Sequence, residues 1–426
     1  MRWLDGLAVL IVAGVATLAV AQPAIVALEA SAFDALLALR HQVYGQPFRR
    51  QRSHAVVIAL DQETALRPPF DRLPVSLWTP QLAKVMAAVL DSGADVIGQQ
   101  AFTTSAAAAL PDYDADYRAV LARAAAEDRI VLGRNAPGPD RLSPFPGHVE
   151  AVGGYRNVRR DELTADADGV IRQMALFHET LATNGSAGIQ PSLALELAAR
   201  VLNERPQIVA GRNVVLGQYQ VPKSSEAAML MNPQGGDGGV PVFSLADLYA
   251  CAEAGDEAFF RKYFEGKVVI VGRLGPAETR HRTAARLLGV KDEDREARRC
   301  RLSPMRSLKA LSAKSDTPDP VIIATAVNNL LRENAINRSA APFGIVIAGL
   351  LALAAAILGL RVRFLLALPI SAAFLGGWLY LATLTLAKQA WLMPLVQPLS
   401  AFLLSLIIAW GFGLLRPRLR RGRATA

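Results

Sequence analysis

The chain has 426 residues, of which 52% are apolar and 19% charged, and a mean hydropathy of +0.25. That balance excludes an ordinary soluble protein and points to apolar spans set apart from a water-exposed domain. The formal net charge is +9, but five arginines lie in the last eleven residues, where they read as a membrane-flanking anchor and not as a nucleic-acid footprint.

In chain order, four stretches approach the roughly 20 apolar residues that a bilayer crossing needs. The first covers residues 7 to 27 and serves as a transmembrane helix or, with the small-residue run Ala19-Val20-Ala21, as a cleaved signal peptide. Residues 342 to 360, 364 to 386 and 391 to 415 are the others, and they contain no Asp, Glu, Lys or Arg. Transport through such spans is disfavoured, because an ion path normally needs an ionisable group at depth. Arg361 and Arg363 in the short turn and Arg416 to Arg423 in the tail fall on one side, which the positive-inside rule makes the cytoplasm. Residues 41 to 340 are then exported from a bacterial inner membrane into the periplasm. Arg40, Arg49, Arg50 and Arg52 oppose that orientation locally, but long domains translocate largely regardless of charge.

Within the exported region, HAVVIAL (54 to 60) predicts a buried strand ending at Asp61. PQLAKVMAAVLDSG places Leu82, Val85, Met86, Val89 and Leu90 on one helical face and stops at Gly93. ADVIG predicts a second strand, residues 113 to 127 a second helix and RIVLG a third strand. Strands alternating with helices imply a largely parallel sheet with flanking helices, an α/β domain joined to an all-α membrane bundle. Residues 148 to 240 predict an antiparallel flank. SLADLYACAEAGDEAFFRKYFEG reads as helical, and EGKVVIVGRLGP follows it as an inner strand. Its Gly266-Lys267 pair precedes the strand, whereas a phosphate loop needs the lysine after it. Residues 279 to 319 are rich in both charge signs and read as a mobile insertion, with a basic docking surface for anionic lipid or polymer as the alternative. VIIATAVNNLLRENAI then predicts a helix running toward the second span.

The motifs of common catalysts are missing: no G-x-S-x-G, H-E-x-x-H or dinucleotide-binding glycine fingerprint occurs. Five scattered histidines, His41, His54, His148, His178 and His281, suit surface or packing roles better than metal ligation. Asp166 to Gly169 resembles the start of a calcium loop, yet Phe177 stands where the bidentate Glu belongs, so a turn is expected. Cys251 and Cys300 can pair in an oxidising compartment and show no zinc or thioredoxin spacing. No cofactor and no metal is expected. In open α/β sheets ligands favour the carboxyl ends of the strands, which here carry Asp61, Gln99 and Gln100, Arg134 and Asn135, and Arg273. Asp61, Gln100, Arg134 and Arg273 are therefore the candidate ligand-binding residues, suited to an anion; an internal salt bridge is the structural alternative.

Taken together, VVIALDQETAL (56 to 66), LDSGADVIG (90 to 98), RIVLG (129 to 133), DADGVIRQ (166 to 173), PSLALELA (191 to 198), FEGKVVIVG (264 to 272) and AVNNLL (326 to 331) resemble the second type of CHASE domain. That resemblance covers about residues 41 to 340, together with the arrangement of one span before the domain and three after. It implies an extracytoplasmic sensory domain that signals through its helices to a cyclase or kinase output. The pattern departs from the family at Gln100, where an Asp is usual, at Val321 and Ile323, where an acid and a histidine are usual, and in the charged insertion. The resemblance leads to three expectations: a sensor or accessory protein without catalytic output of its own, a separate protein partner, and a homodimer as in related receptors. The alternative is a degenerate scaffold in an envelope complex. A periplasmic enzyme is disfavoured by the lack of a nucleophile and base.

Overall fold

The computed structural model describes residues 2–45, 53–100, 112–135, 143–181, 187–209, 213–225, 227–233, 239–274, 280–288, 299–303, 316–362 and 364–423. They divide into two units, one of residues 46–336 and one of residues 1–45 with 337–426.

In the first unit the β-branched runs become β1 (Ala55–Leu60), β2 (Val96–Gln99), β3 (Ile130–Arg134), β4 (Val158–Arg160), β5 (Val242–Ser244) and β6 (Val268–Arg273). These strands form one sheet in the order β5-β1-β6-β2-β3-β4, with every neighbouring pair parallel. Ala55 lies opposite Val268 and Leu60 opposite Arg273. Side chains alternate along a strand, so Val57, Val96, Val131 and Ile270 face one side and Ile58, Ile97, Leu132 and Val271 the other. Both sides are covered, which explains why the strands are continuous apolar runs and not alternating ones.

The covering helices are α1 (Thr79–Asp91), α2 (Ala115–Ala126), α3 (Leu193–Leu202), α4 (Leu245–Glu253), α5 (Glu257–Phe264) and α6 (Asp319–Leu331). Helices α1, α2, α4 and α5 pack on the Ile58 side, α3 and α6 on the Val57 side. The predicted face of α1 is buried at all five positions, and Gly93 ends the turn with φ +87°. The run read as one helix over residues 244 to 266 is two, because Gly255 (φ +66°) breaks it and the Asp256 carboxylate caps the second helix at the Phe259 N–H. Helix α6 is apolar almost all round and correspondingly buried from Pro320 to Ala324 and from Ala326 to Leu330. It stops at Leu331, short of the expected continuation, because Glu333 takes a left-handed conformation (φ +54°) and Ile336 then pairs with Leu230.

The antiparallel flank is present as small sheets. Strand Gln173–Ala175 pairs with Ala228–Leu230, and Asn213–Leu216 pairs with both its sequence neighbours. Their Met174, Leu216, Val221 and Met229 join the α3 and α6 core. Within the charged region 279 to 319, the described parts carry secondary structure, and residues 289–298 and 304–315 lie outside the described residues. Arg280–Thr283 is a strand between Val170–Ile171 and Thr317–Pro318, and residues 284 to 287 form a helical turn. Cys300 is disulfide-bonded to Cys251 in α4.

The second unit holds helices Arg2–Val20, Pro23–Tyr44, Ala341–Arg361, Phe364–Gln389 and Val396–Arg423. The apolar stretch expected over residues 7 to 27 is interrupted after Val20, and Pro23, which has no N–H to donate, starts a new helix. The last helix begins at Val396 and not near Trp391, because Trp391–Leu392 pairs with Asn337–Arg338. The Glu29 carboxylate accepts from the Leu395 and Gln397 N–H groups at the head of that helix (3.0 and 2.9 Å). Helices 341–361 and 396–423 meet through Ala352, Ala356, Ala401 and Ala409, and the Ser405 hydroxyl donates to the Ala352 carbonyl (2.6 Å). Small residues at such a seam let backbones approach closely. Among the described residues two helices are long and apolar enough to cross a membrane, Pro342–Arg361 and Leu365–Gln389.

Candidate functional site

The carboxyl ends of the sheet place Asp61, Arg273, Gln100 and Arg134 after adjacent strands, in the lateral order β1, β6, β2, β3. Neighbouring strands lie about 4.8 Å apart, so the row spans about 14 Å from Asp61 to Arg134. The loops that follow β2, β3 and β6, residues 101–111, 136–142 and 275–279, lie outside the described residues.

Asp61 caps a short helix, accepting from the Thr64 N–H and hydroxyl (both 2.8 Å) and from the Ser244 hydroxyl (2.9 Å). Burial pushes its pKa up, against the lowering effect of those bonds. The carboxylate is thus engaged in fixing the corner between β1 and β5. Arg134 reaches toward Gln190 Oε1 at 3.5 Å, and Arg273 is half-buried at the end of β6. Gln99 is buried and accepts from the Tyr117 hydroxyl, which assigns it to packing. The Gly266-Lys267 pair also has a structural role: Lys267 Nζ donates to the Ser53 carbonyl (2.7 Å).

Gln100 is the residue of the row that meets α6. Its amide donates to Asp319 Oδ2 (3.4 Å), and Asp319 Oδ1 lies 3.2 Å from His281 Nε2. A Cβ at Gly272 would come within 2.3 Å of Pro320 Cγ and 2.6 Å of Gln100 Oε1, so glycine is what permits α6 to sit on the strand ends. His281 and Asp319 were not singled out as site residues from the sequence. The one available signal was the Asp-Pro that opens the helix, since Pro in the first turn and an acid beside it mark a helix start.

The Asp319 carboxylate beside the ring, with a smaller contribution from Asp316, holds the His281 pKa above its usual value, against burial. Asp319 and Asp316 are the charged groups facing the ring. A raised folded pKa stabilises the protein fully below about pH 6.5, and the gain is lost as pH rises through the higher folded value. Replacing His281 by Gln should therefore cost stability at pH 6 and little at pH 8.5. His148 opposes this in the wild type: burial lowers its pKa, so its contribution falls away in acid. The measurement is the wild-type-minus-variant difference in unfolding free energy across that range, and a difference independent of pH would contradict the pairing.

Among the described residues, two further polar clusters are structural. Arg172 bonds Asp166 Oδ2 (2.9 Å) and Asp168 Oδ2 (2.7 Å), so a guanidinium stands where a calcium ion would and the turn reading of residues 166–169 holds. His148 and Asp114 form a buried pair at 2.8 Å with Tyr117 edge-on to the ring, a packing role.

At the far end of α6, Asn328 Oδ1 accepts from the His54 N–H (2.8 Å) and Ala55 N–H (3.2 Å), and its amide donates to the Ser53 hydroxyl (2.9 Å). Asn329 Oδ1 accepts from the Asn232 N–H (2.8 Å), and its amide donates to Asn334 Oδ1 (3.1 Å). Thirteen helical residues span about 20 Å. One helix therefore joins the strand-end cluster to the segments by which the chain enters and leaves the domain.

No curated protein and no solved structure matches the chain. A family model does match, over residues 7–360, running past the unit of residues 46–336 at both ends. With the motifs, the parallel sheet and the α6 junction in place, that match of well over half the length means that the chain belongs to the CHASE2 domain family of extracellular sensory domains.

Proposed function

We propose that the protein is a multi-pass inner-membrane sensor whose periplasmic CHASE2 domain acts through a separate signalling protein, performing no chemistry itself. The observation that carries this reading is α6. Its Asp319 end touches Gln100 and His281 at the sheet edge favoured by ligands, and its Asn328-Asn329 end grips both chain connections. A ligand that moves the Asp319 end therefore acts on the membrane connections through one rigid element, as a two-state switch requires. In this reading Gln100, Arg134 and Arg273 face an anionic ligand, and Asp61 shapes the corner beside them. The Cys251–Cys300 disulfide fits an oxidising, exported compartment. A reporter enzyme inserted at the 203–206 turn should be active only outside the cytoplasm; activity confined to the cytosol would overturn the orientation.

The helix itself is testable. Gly272→Ala should destabilise the domain by about 1–3 kcal/mol through overpacking against Pro320. It should also speed amide hydrogen exchange at residues 53–55 and 328–332, the latter about 12–18 Å along α6 from Pro320. Faster exchange confined to the strand end would contradict transmission by α6. Co-purification from membranes identifies the partner. A protein with a cytoplasmic catalytic domain supports sensing, and an envelope complex without one replaces it with the scaffold reading.

A further inference from the structure

Apart from the strand-end cluster, three metal-ligating atoms converge on the other face of the sheet. Cys251 Sγ, Cys300 Sγ and a carboxylate oxygen of Asp256 lie within 4.8 Å of one another. The two sulfurs are joined as a disulfide, and Asp256 Oδ2 stands 3.8 Å from Cys300 Sγ. An oxidised sulfur has no proton to donate, so this approach is not explained by a hydrogen bond. We propose that the reduced form of this cluster is a binding site for a thiophilic divalent ion such as Zn2+, with Cys251, Cys300 and Asp256 as ligands and a water in the fourth position.

The donor set suits that ion. Zinc takes thiolate at about 2.3 Å and carboxylate at about 2.0–2.2 Å in tetrahedral geometry, which puts donor atoms about 3.5–3.8 Å apart. Asp256 Oδ2 is already at that separation from Cys300 Sγ. The two sulfurs must part to that spacing, and Cα atoms 5.8 Å apart leave room for this by side-chain rotation.

The ligands are also held by contacts that survive cleavage of the S–S bond. Asp256 Oδ1 accepts from the Phe259 N–H (3.1 Å), which leaves the other oxygen to point at the sulfurs. The Asp247 carboxylate accepts from three successive N–H groups, of Cys300 (2.8 Å), Arg301 (3.0 Å) and Leu302 (2.7 Å). Arg299 adds a two-pronged pair with Glu63 (2.9 and 2.5 Å). Such outer contacts are what orient metal ligands. Arg301 lies 3.5 Å from Asp256 but is half exposed, and an exposed pair of that kind contributes little to oppose a divalent ion.

The chemistry balances. Two electrons and two protons from a dithiol, which closes to its own disulfide, convert the Cys251–Cys300 bond to two thiols. Binding of the ion then releases those two protons to solvent as both sulfurs become thiolates.

The test uses the full chain in detergent, reduced with a phosphine that ends as its oxide, and titrated with Co2+. We expect an ultraviolet thiolate-to-cobalt absorption at one ion per chain, displaced by Zn2+ and absent from the oxidised protein and from Cys300→Ser. Asp256→Asn keeps the helix cap and should weaken binding by at least about tenfold; unchanged thermal unfolding of its oxidised form confirms the fold. No such absorption in the reduced chain, equal absorption in the oxidised chain, or wild-type affinity in Asp256→Asn each overturns the proposal.

Discussion

Replacing Cys251 and Cys300 by alanine should lower the unfolding free energy by about 4 kcal/mol, the loop-entropy value for closing some 50 residues of chain. The two cysteines lie 49 residues apart and join the charged region 279 to 319 to α4. A loss of that size is a large share of the 5–15 kcal/mol typical of a folded domain. Wild-type protein under reducing, metal-free conditions should unfold like the double variant, because both lack the same cross-link. Denaturant titration of the full chain with and without reductant measures this. A double variant as stable as the oxidised wild type would mean that Asp247 and Arg299 alone hold residues 299–303.

The second large effect is expected at Asn328. Truncation to alanine removes the acceptor for the His54 and Ala55 N–H groups and the donor to Ser53, all at a site where Asn328 is only 2% exposed. Each buried donor left without a partner costs about 1–3 kcal/mol, so the variant should lose about 3 kcal/mol in all. For a unit of residues 46–336 that lowers Tm by about 5 °C. The same substitution should uncouple α6 from the chain entry. Gly272→Ala in the Asn328→Ala background should then no longer speed exchange at residues 53–55 beyond the level of Asn328→Ala alone. A Tm within about 1 °C of wild type would show that water replaces the asparagine without cost.

Much of the sheet was legible because its strands are buried on both sides, which turns them into contiguous β-branched runs such as Val268 to Val271. The face of α1 was legible for the related reason that a one-sided helix prints its 3.6-residue period into the chain. Helix α6 shows the limit: being apolar all round, it has no period to mark where it sits, and its end at Leu331 depends on the pairing of Ile336 with Leu230. The strand-end residues Asp61, Gln100, Arg134 and Arg273 were found from the rule that strands end at ligands. Their roles were not, because Asp61 is fixed by Ser244, 183 positions away. The His281–Asp319 pair was hidden by the composition of its surroundings, since a strand inserted between Val170–Ile171 and Thr317–Pro318 looks in sequence like any polar, mixed-charge run. The break after Val20 was missed because hydropathy counts residues and ignores the missing donor of Pro23.

Because Ser53 and Asn334 are bonded to consecutive side chains of α6, the polypeptide arrives and departs within one helical turn. Residues 53 to 334 therefore form a segment whose two ends are fastened to adjacent side chains of one helix. Such a segment can be moved as one piece into another chain without rethreading any strand, provided the paired asparagines travel with it.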